Sequence, residues 1–196
     1  MAVTDKRGVG LAKNARTRLQ QAALDLFARD GFEAVTAAQI AERAGVTERT
    51  FFRHFPDKRE VLFDGQNLLL AALKAGLADA PPEANELAAL FHAFRSVVPL
   101  LEANRPFSEP RQRIIAANPG LREREAAKLT VLVEAMTDAL QTRSQSDLRA
   151  RLAATTGIAA FASVTTAWLE KGEPGLLARI IESEQELRAL WSEYRS

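Results

Sequence analysis

TAAQIAERAGVTERTFFRHF, residues 36–55, is written as two short helices folded back about a glycine. Thr36, with Gln39 three residues on, makes a capping box and so starts a helix. Ile40, Ala41 and Ala44 supply its apolar side, and Gly45 ends it. Thr47 caps a second helix, which cannot run past Phe55 because Pro56 follows. Two helices crossing steeply over a three- or four-residue turn need small residues at the crossing and a left-handed turn position. Ala41 and Ala44 meet the first need and Gly45 the second, with Val46 as a plug at the end of the turn. The stretch therefore reads as a helix-turn-helix, whose first helix braces against a DNA backbone while the second enters the major groove.

The second helix sorts by face. Phe51 and Phe55, four apart, share one side and anchor to the helix at 17–30, leaving Glu48, Arg49, Phe52 and Arg53 outward or sideways. Arg49 is the base-reading candidate, because a guanidinium pairs bidentately with guanine O6 and N7. Thr47, Thr50 and His54 suit phosphate oxygens, and Lys58, past Pro56, adds a phosphate contact through its long stem. Glu48 either accepts from a cytosine amino group or favours the helix N-terminus electrostatically. With Thr36 from the first helix, these residues form the expected DNA-binding set.

Outward from this unit the chain reads as all-α, since no period-2 alternation is sustained anywhere. An apolar face of Leu19, Ala22, Ala23, Leu26 and Phe27 predicts a helix over 17–30, ended by Gly31. Asp57 and Glu60 form a second capping box that opens a long helix to about Ala80. Helices follow from about Glu83 to Val98, after Ser108, from Asn118-Pro119 to about Thr142, from Ser146-Asp147 to Glu170, and after the turn at 171–174. The expectation is nine to ten helices: an N-terminal three-helix bundle carrying the helix-turn-helix, joined to a C-terminal helical bundle. The implied division is a flexible basic arm over 1–15, a DNA-binding domain over 16–62 and a ligand-binding and dimerisation domain over 63–196.

Charge agrees with that division. Residues 1–60 carry a net +3 and the remainder a net −2 within an overall +1, so the first third is the side that meets a polyanion. Lys6, Arg7, Lys13, Arg16 and Arg18 cluster ahead of the first strong helix and read either as a solvated tail or as an arm reaching neighbouring phosphates. Hydrophobic residues at 47% and charged residues at 26% are globular proportions. No run of 18 apolar residues and no secretion signal is visible, so a cytoplasmic protein without a membrane span is expected. Cysteine is absent, which removes disulfides and thiolate metal sites. The two histidines, His54 and His92, and the single tyrosine, Tyr194, form no triad, metal cluster or phosphate-cradling loop, so no catalytic residue, metal or cofactor is expected.

At these residues the chain resembles the tetracycline-repressor (TetR) family, whose N-terminal pattern is matched by Thr36, Ile40, Ala41, Ala44, Gly45, Val46, Thr47, Thr50, Phe51, Phe52, His54, Phe55, Lys58 and Val61 or Leu62. Phe52 stands where that family usually has tyrosine, so a hydroxyl contact to phosphate becomes packing on a sugar. The resemblance implies a homodimeric regulator of a palindromic double-stranded operator, released by a small effector and dimerising through its last two helices. Apolar stripes fit such a dimer: Leu148, Leu152, Ile158, Phe161 and Trp168 on one helix, Leu176, Leu177, Ile180, Ile181 and Leu187 on the other. An intramolecular core would use the same stripes. Phe91, Phe94, Val98, Leu101, Phe107, Ile114, Leu132 and Met136 are the candidates to line an effector cavity. The run RQRIIAANPGLRERE over 111–125 and the helix bearing Trp168 look like an actinobacterial-type subgroup with acyl-CoA-like ligands, and Arg111, Arg113, Arg122 or Arg124 could meet an anionic head group there. Alternatives are an activator or global regulator without an effector, and a helical interaction protein that binds no DNA. The last predicts no salt-dependent DNA affinity.

Overall fold

The computed structural model describes residues 6–193, with side chains over 15–190. Among these residues there are eleven helical segments and no strand; nine of the helices are longer than six residues, in keeping with the nine to ten read from the sequence. The chain divides into two compact units. One takes the described residues up to Asp64 together with Arg113–Leu121; the other takes Gly65–Gln112 and the described residues from Arg122 on.

The N-terminal unit is built on α1 (Lys6–Asp30), α2 (Ala37–Arg43), α3 (Glu48–His54) and α4 (Glu60–Phe63). Leu19, Ala22, Ala23, Leu26 and Phe27 of α1 are all buried, with Leu24 beside them. The helix starts at Lys6 rather than near residue 17, for no proline interrupts the stretch and Ala15 is already buried. Residues 1–5 of the expected arm lie outside the described residues. The long helix expected over 57–80 is two helices, α4 and α5 (Gln66–Ala78), parted at Asp64-Gly65. Of the capping box read at Asp57 and Glu60, one half is seen: the Asp57 carboxylate accepts from the backbone N–H of Arg59 at 2.7 Å and of Glu60 at 3.1 Å, while the cap position of α4 falls at Arg59.

The C-terminal unit centres on α6 (Glu86–Ser96), which buries Leu87, Ala89, Leu90, Phe91, Ala93 and Phe94. It is followed by α7 (Val98–Ala103), α8 (Arg105–Ala116), α9 (Pro119–Gln141), α10 (Asp147–Lys171) and α11 (Leu176–Glu193). Pro99 stands at the start of α7 and Pro110 lies inside α8. By length and composition alone α10 could cross a bilayer, with mean hydropathy 1.4 over 18 residues. Its apolar residues Ala150, Ala154, Ile158, Phe161 and Trp168 are instead part of the same core as α6. Two helices approach α6 closely through glycines. A Cβ on Gly157 of α10 would sit 3.0 Å from Leu90 Cδ1; on Gly76 of α5 it would meet Ala93 Cα at 3.0 Å and collide with Ser96 Oγ. Arg143 closes the other end of α5, donating to the carbonyls of Leu77, Ala80 and Pro81, which satisfies orphan acceptors at a helix C-terminus.

The Gly76 contact makes a prediction that runs against helix propensity. Alanine is favoured over glycine in a helix interior by about 1 kcal/mol. Overpacking against an α6 backbone atom costs about 1–3 kcal/mol. Gly76→Ala should therefore lower the melting temperature, and a rise would show that α5 and α6 can separate freely.

Candidate nucleic-acid interface

The helix-turn-helix is assembled from its caps inward. Thr36 Oγ1 accepts from Gln39 N at 3.2 Å while Gln39 Oε1 accepts from Thr36 N at 2.8 Å, the reciprocal box expected. Ile40, Ala41 and Ala44 are buried, and Gly45 takes φ +66°, a conformation in which a Cβ would be strained. Val46 N donates to Ala41 O at 3.0 Å, closing the turn, and its side chain is half-buried. Thr47 then caps α3, accepting from Thr50 N at 3.2 Å. Phe51 and Phe55 are buried at 0% and 1% exposure with ring centroids 5.6 Å apart, as the face analysis required.

On the opposite face Glu48, Arg49, Phe52 and Arg53 are exposed. Phe52 keeps 51% of its surface in solvent and is held edge-on against Phe51 at 84° and 5.4 Å. The charge distribution here is selective. Arg16, Arg29, Arg43 and Arg59 each pair with an aspartate, respectively Asp64, Asp30, Asp25 and Asp57. Arg49 and Arg53 pair with no described residue, and neither does Arg18, whose Nη1 lies 3.8 Å from the position a Cβ on Gly45 would take. Cations left uncommitted on one surface are what a polyanion finds. Arg18 was legible only as one of five basic residues near the start of α1; its place beside the turn depends on how α1 packs, which spacing alone does not give.

The four expected phosphate contacts divide. Lys58 spends its ammonium internally, donating to Phe32 O at 2.8 Å, Val35 O at 3.0 Å and Glu33 O at 3.2 Å, with Nζ 4.4 Å from the Phe32 ring centroid. All three protons are used, so this lysine ties the α1–α2 loop instead of reaching outward. His54 is half-buried and its Nε2 is sealed from solvent without a partner. Burial, with Arg53 and Arg16 nearby, holds the imidazole below its usual range and keeps it neutral near pH 7. Thr47 and Thr50 share a hydrogen bond at 3.0 Å between their hydroxyls. One of the two protons is thereby used, and the other remains for an acceptor.

The effector candidates divide as well. Phe91, Phe94, Val98, Leu132 and Met136 are buried in a single core, Leu101 packs against it, and Phe94 stacks on Phe161 at 4.5 Å. Phe107 is half-buried outside that core, and Ile114 belongs to the N-terminal unit. Thr165 of α10 carries a buried hydroxyl with no partner. Among the anionic-head candidates, Arg111 faces Glu125 at 3.2 Å, while Arg122 is exposed. No group of three or more His, Asp or Glu that could hold a metal occurs among the described residues.

Residues 19–64 match the model for bacterial regulatory proteins of the tetR family. The HTH-type transcriptional regulator TcmR of Streptomyces glaucescens is 41% identical over 86 residues, which is 44% of this chain and 38% of that regulator's length. Solved structures share the fold, two of them as follows. FadR of Thermus thermophilus, in complex with lauroyl-CoA, gives a TM-score of 0.56 at 23% identity over 87% of this chain and 91% of its own. NalD, the secondary repressor of the MexAB-OprM multidrug efflux pump in Pseudomonas aeruginosa, gives 0.61 at 19% identity over 90% and 95%. The family and these neighbours are transcriptional regulators, not enzymes.

The Lys58 geometry generates a test. Lys58→Met keeps the apolar stem over Phe32 and removes three charge-assisted hydrogen bonds, so urea denaturation should show a loss of about 1–3 kcal/mol. The salt dependence of DNA binding should stay as it is; a slope reduced by about one unit would return Lys58 to a phosphate.

Proposed function

From the match of residues 19–64 to the tetR family of bacterial regulatory proteins we propose that this chain is a regulator of that family: a cytoplasmic, ligand-responsive repressor that binds a palindromic operator as a homodimer. The observation that carries the DNA-binding surface is the pair of unpaired arginines, Arg49 and Arg53, on the outward face of a helix whose other side is locked by Phe51 and Phe55. Arg49 reads a guanine edge in the major groove, with Arg53 and Glu48 at adjoining positions. The remaining proton of the Thr47–Thr50 pair and the guanidinium of Arg18 go to phosphates, Phe52 packs on a sugar, and Thr36 serves the cap of α2. Lys58 and His54 support this surface from within.

Dimerisation is supported by where apolar surface stays in solvent. Leu148 at 65%, Leu152 at 56%, Leu177 at 44%, Ile181 at 40% and Leu190 at 60% all lie on α10 and α11. The stripes read from the sequence thus have two duties. Ile158, Phe161, Trp168, Leu176 and Ile180 fill the protomer's own core, and Leu148, Leu152, Leu177 and Ile181 are left for a second copy in a four-helix arrangement. The two recognition helices would then meet half-sites about one helical turn, roughly 34–36 Å, or a multiple apart.

The effector is a small hydrophobic molecule received by the C-terminal unit, an acyl-CoA or other lipid-like compound. Support comes from the aromatic, aliphatic core around α6 and from the fold shared with a lauroyl-CoA complex. Binding releases DNA by acting through the chain at the α4–α5 break, which changes the spacing of the two heads.

On DNA enriched by unbiased selection, Arg49→Ala should lose about 1–3 kcal/mol and relax preference at one base position. An unchanged binding profile would remove Arg49 from base readout. Leu152→Glu combined with Ile181→Glu should shift the chain to monomers in sedimentation and abolish binding to paired half-sites, and a persisting dimer would move the interface elsewhere.

A further inference from the structure

We infer that Arg16 is a positioning residue for the recognition helix, held in that role by Asp64, so that the pair secures selective rather than general DNA binding; the inference rests on the regulator reading above. Arg16 Nε donates to Asp64 Oδ2 at 2.6 Å and its Nη2 pairs with Oδ1, a fork-to-fork contact between α1 and the residue that ends α4. Gln20, one turn further along α1, donates to the same carboxylate at 3.0 Å. The guanidinium carbon of Arg16 also lies over the Phe55 ring, 5.2 Å from its centroid. Phe55 is the residue at which α3 ends, in extended backbone with φ −135° and ψ 122°.

One planar cation rooted in α1 therefore grips α4 through two donors and also lies over the ring that ends α3. A lysine carries the same charge but can do only one of these, because its ammonium is a point donor without a stacking face. Asp64 has 14% of its side chain exposed against 46% for Arg16, so the carboxylate is the settled partner and the arginine closes over it. Rotating α3 about its axis lifts Phe55 from the guanidinium; sliding α4 breaks the fork.

The consequence for DNA differs between the two modes of binding. A bidentate base contact tolerates little misplacement, since hydrogen bonds weaken steeply off-line. Attraction to phosphates falls slowly with distance and survives small rotations. Loosening α3 should thus remove discrimination and leave general affinity in place. Arg16 as a direct phosphate contact would give the reverse, because a phosphate would have to displace Asp64 from its two donors.

The test compares wild type, Arg16→Ala, Arg16→Lys and Asp64→Asn on the selected operator and on a scrambled duplex across a salt series, with melting temperatures alongside. Arg16→Ala and Arg16→Lys should each lose about tenfold on the operator and less than about twofold on scrambled DNA, with the salt slope unchanged. Asp64→Asn, nearly isosteric, should lose selectivity in the same direction and decides the matter if Arg16→Ala does not fold. Equal losses on both duplexes with a slope lower by about one unit would overturn the inference and make Arg16 a phosphate contact. Unchanged selectivity in Arg16→Ala and Asp64→Asn, with or without a lower melting temperature, would overturn it too. Full recovery by Arg16→Lys would show that charge alone suffices and remove the fork and the stack. A wild-type chain that enriches no sequence sinks the regulator reading itself, and that failure is recognisable before any substitution is compared.

Discussion

A helix of seven residues has no stability of its own in water, so α3 exists because of what grips it. Thr47 satisfies its first turn, and burial of Phe51 and Phe55 contributes about 1.5–3 kcal/mol each. Pro56 fixes where it stops by forbidding helical backbone at Phe55. Gly45 fixes the angle of entry by taking φ +66°. The supports behind it are held in turn: Lys58 ties the loop between α1 and α2, and Asp64 is gripped twice from α1. The outward residues of α3 can vary in chemistry because almost none of this support passes through them.

The parts legible in the sequence were those that local chemistry decides. The Thr36–Gln39 capping box, the Asp57 turn before α4, the terminal glycine, the stop before Pro56 and the two-faced character of α3 follow from spacing over three or four residues, and each is present. Long-range choices were not legible. Lys58 is a long cation past a proline, and nothing nearby in sequence announces that its partners are carbonyls some 23 to 26 residues earlier. The break at Asp64-Gly65 hides inside an apolar run with helical periodicity. Residues 113–121 pack with the N-terminal unit although their composition does not differ from the helices around them. The apolar stripes of α10 and α11 could be read, but their division between core and surface could not, because Leu152 and Ile158 are chemically alike.

In the C-terminal unit two carboxylates taken out of water are each given an arginine. Glu86, at 7% exposure, faces Arg149 at 3.3 Å and accepts from Ser144, and Glu184, at 9%, lies between Arg95 and Arg188. In the N-terminal unit Asp64 is likewise withdrawn beneath Arg16, while Arg29, Arg43 and Arg59 pair with aspartates that stay partly in solvent. Arg49 and Arg53 stand out by place as well as by pairing, being without a carboxylate partner among the described residues and on the outward face of α3.

The leucines left in solvent on α10 and α11 bear on how such a chain would count its own copies. In the dimer proposed above, the species competent for an operator is made from two protomers, so at low abundance its amount grows as the square of the number of chains. Halving the protein concentration would then cut operator occupancy about fourfold in that regime, and a regulator of this build would respond to its own dilution by growth as well as to its effector.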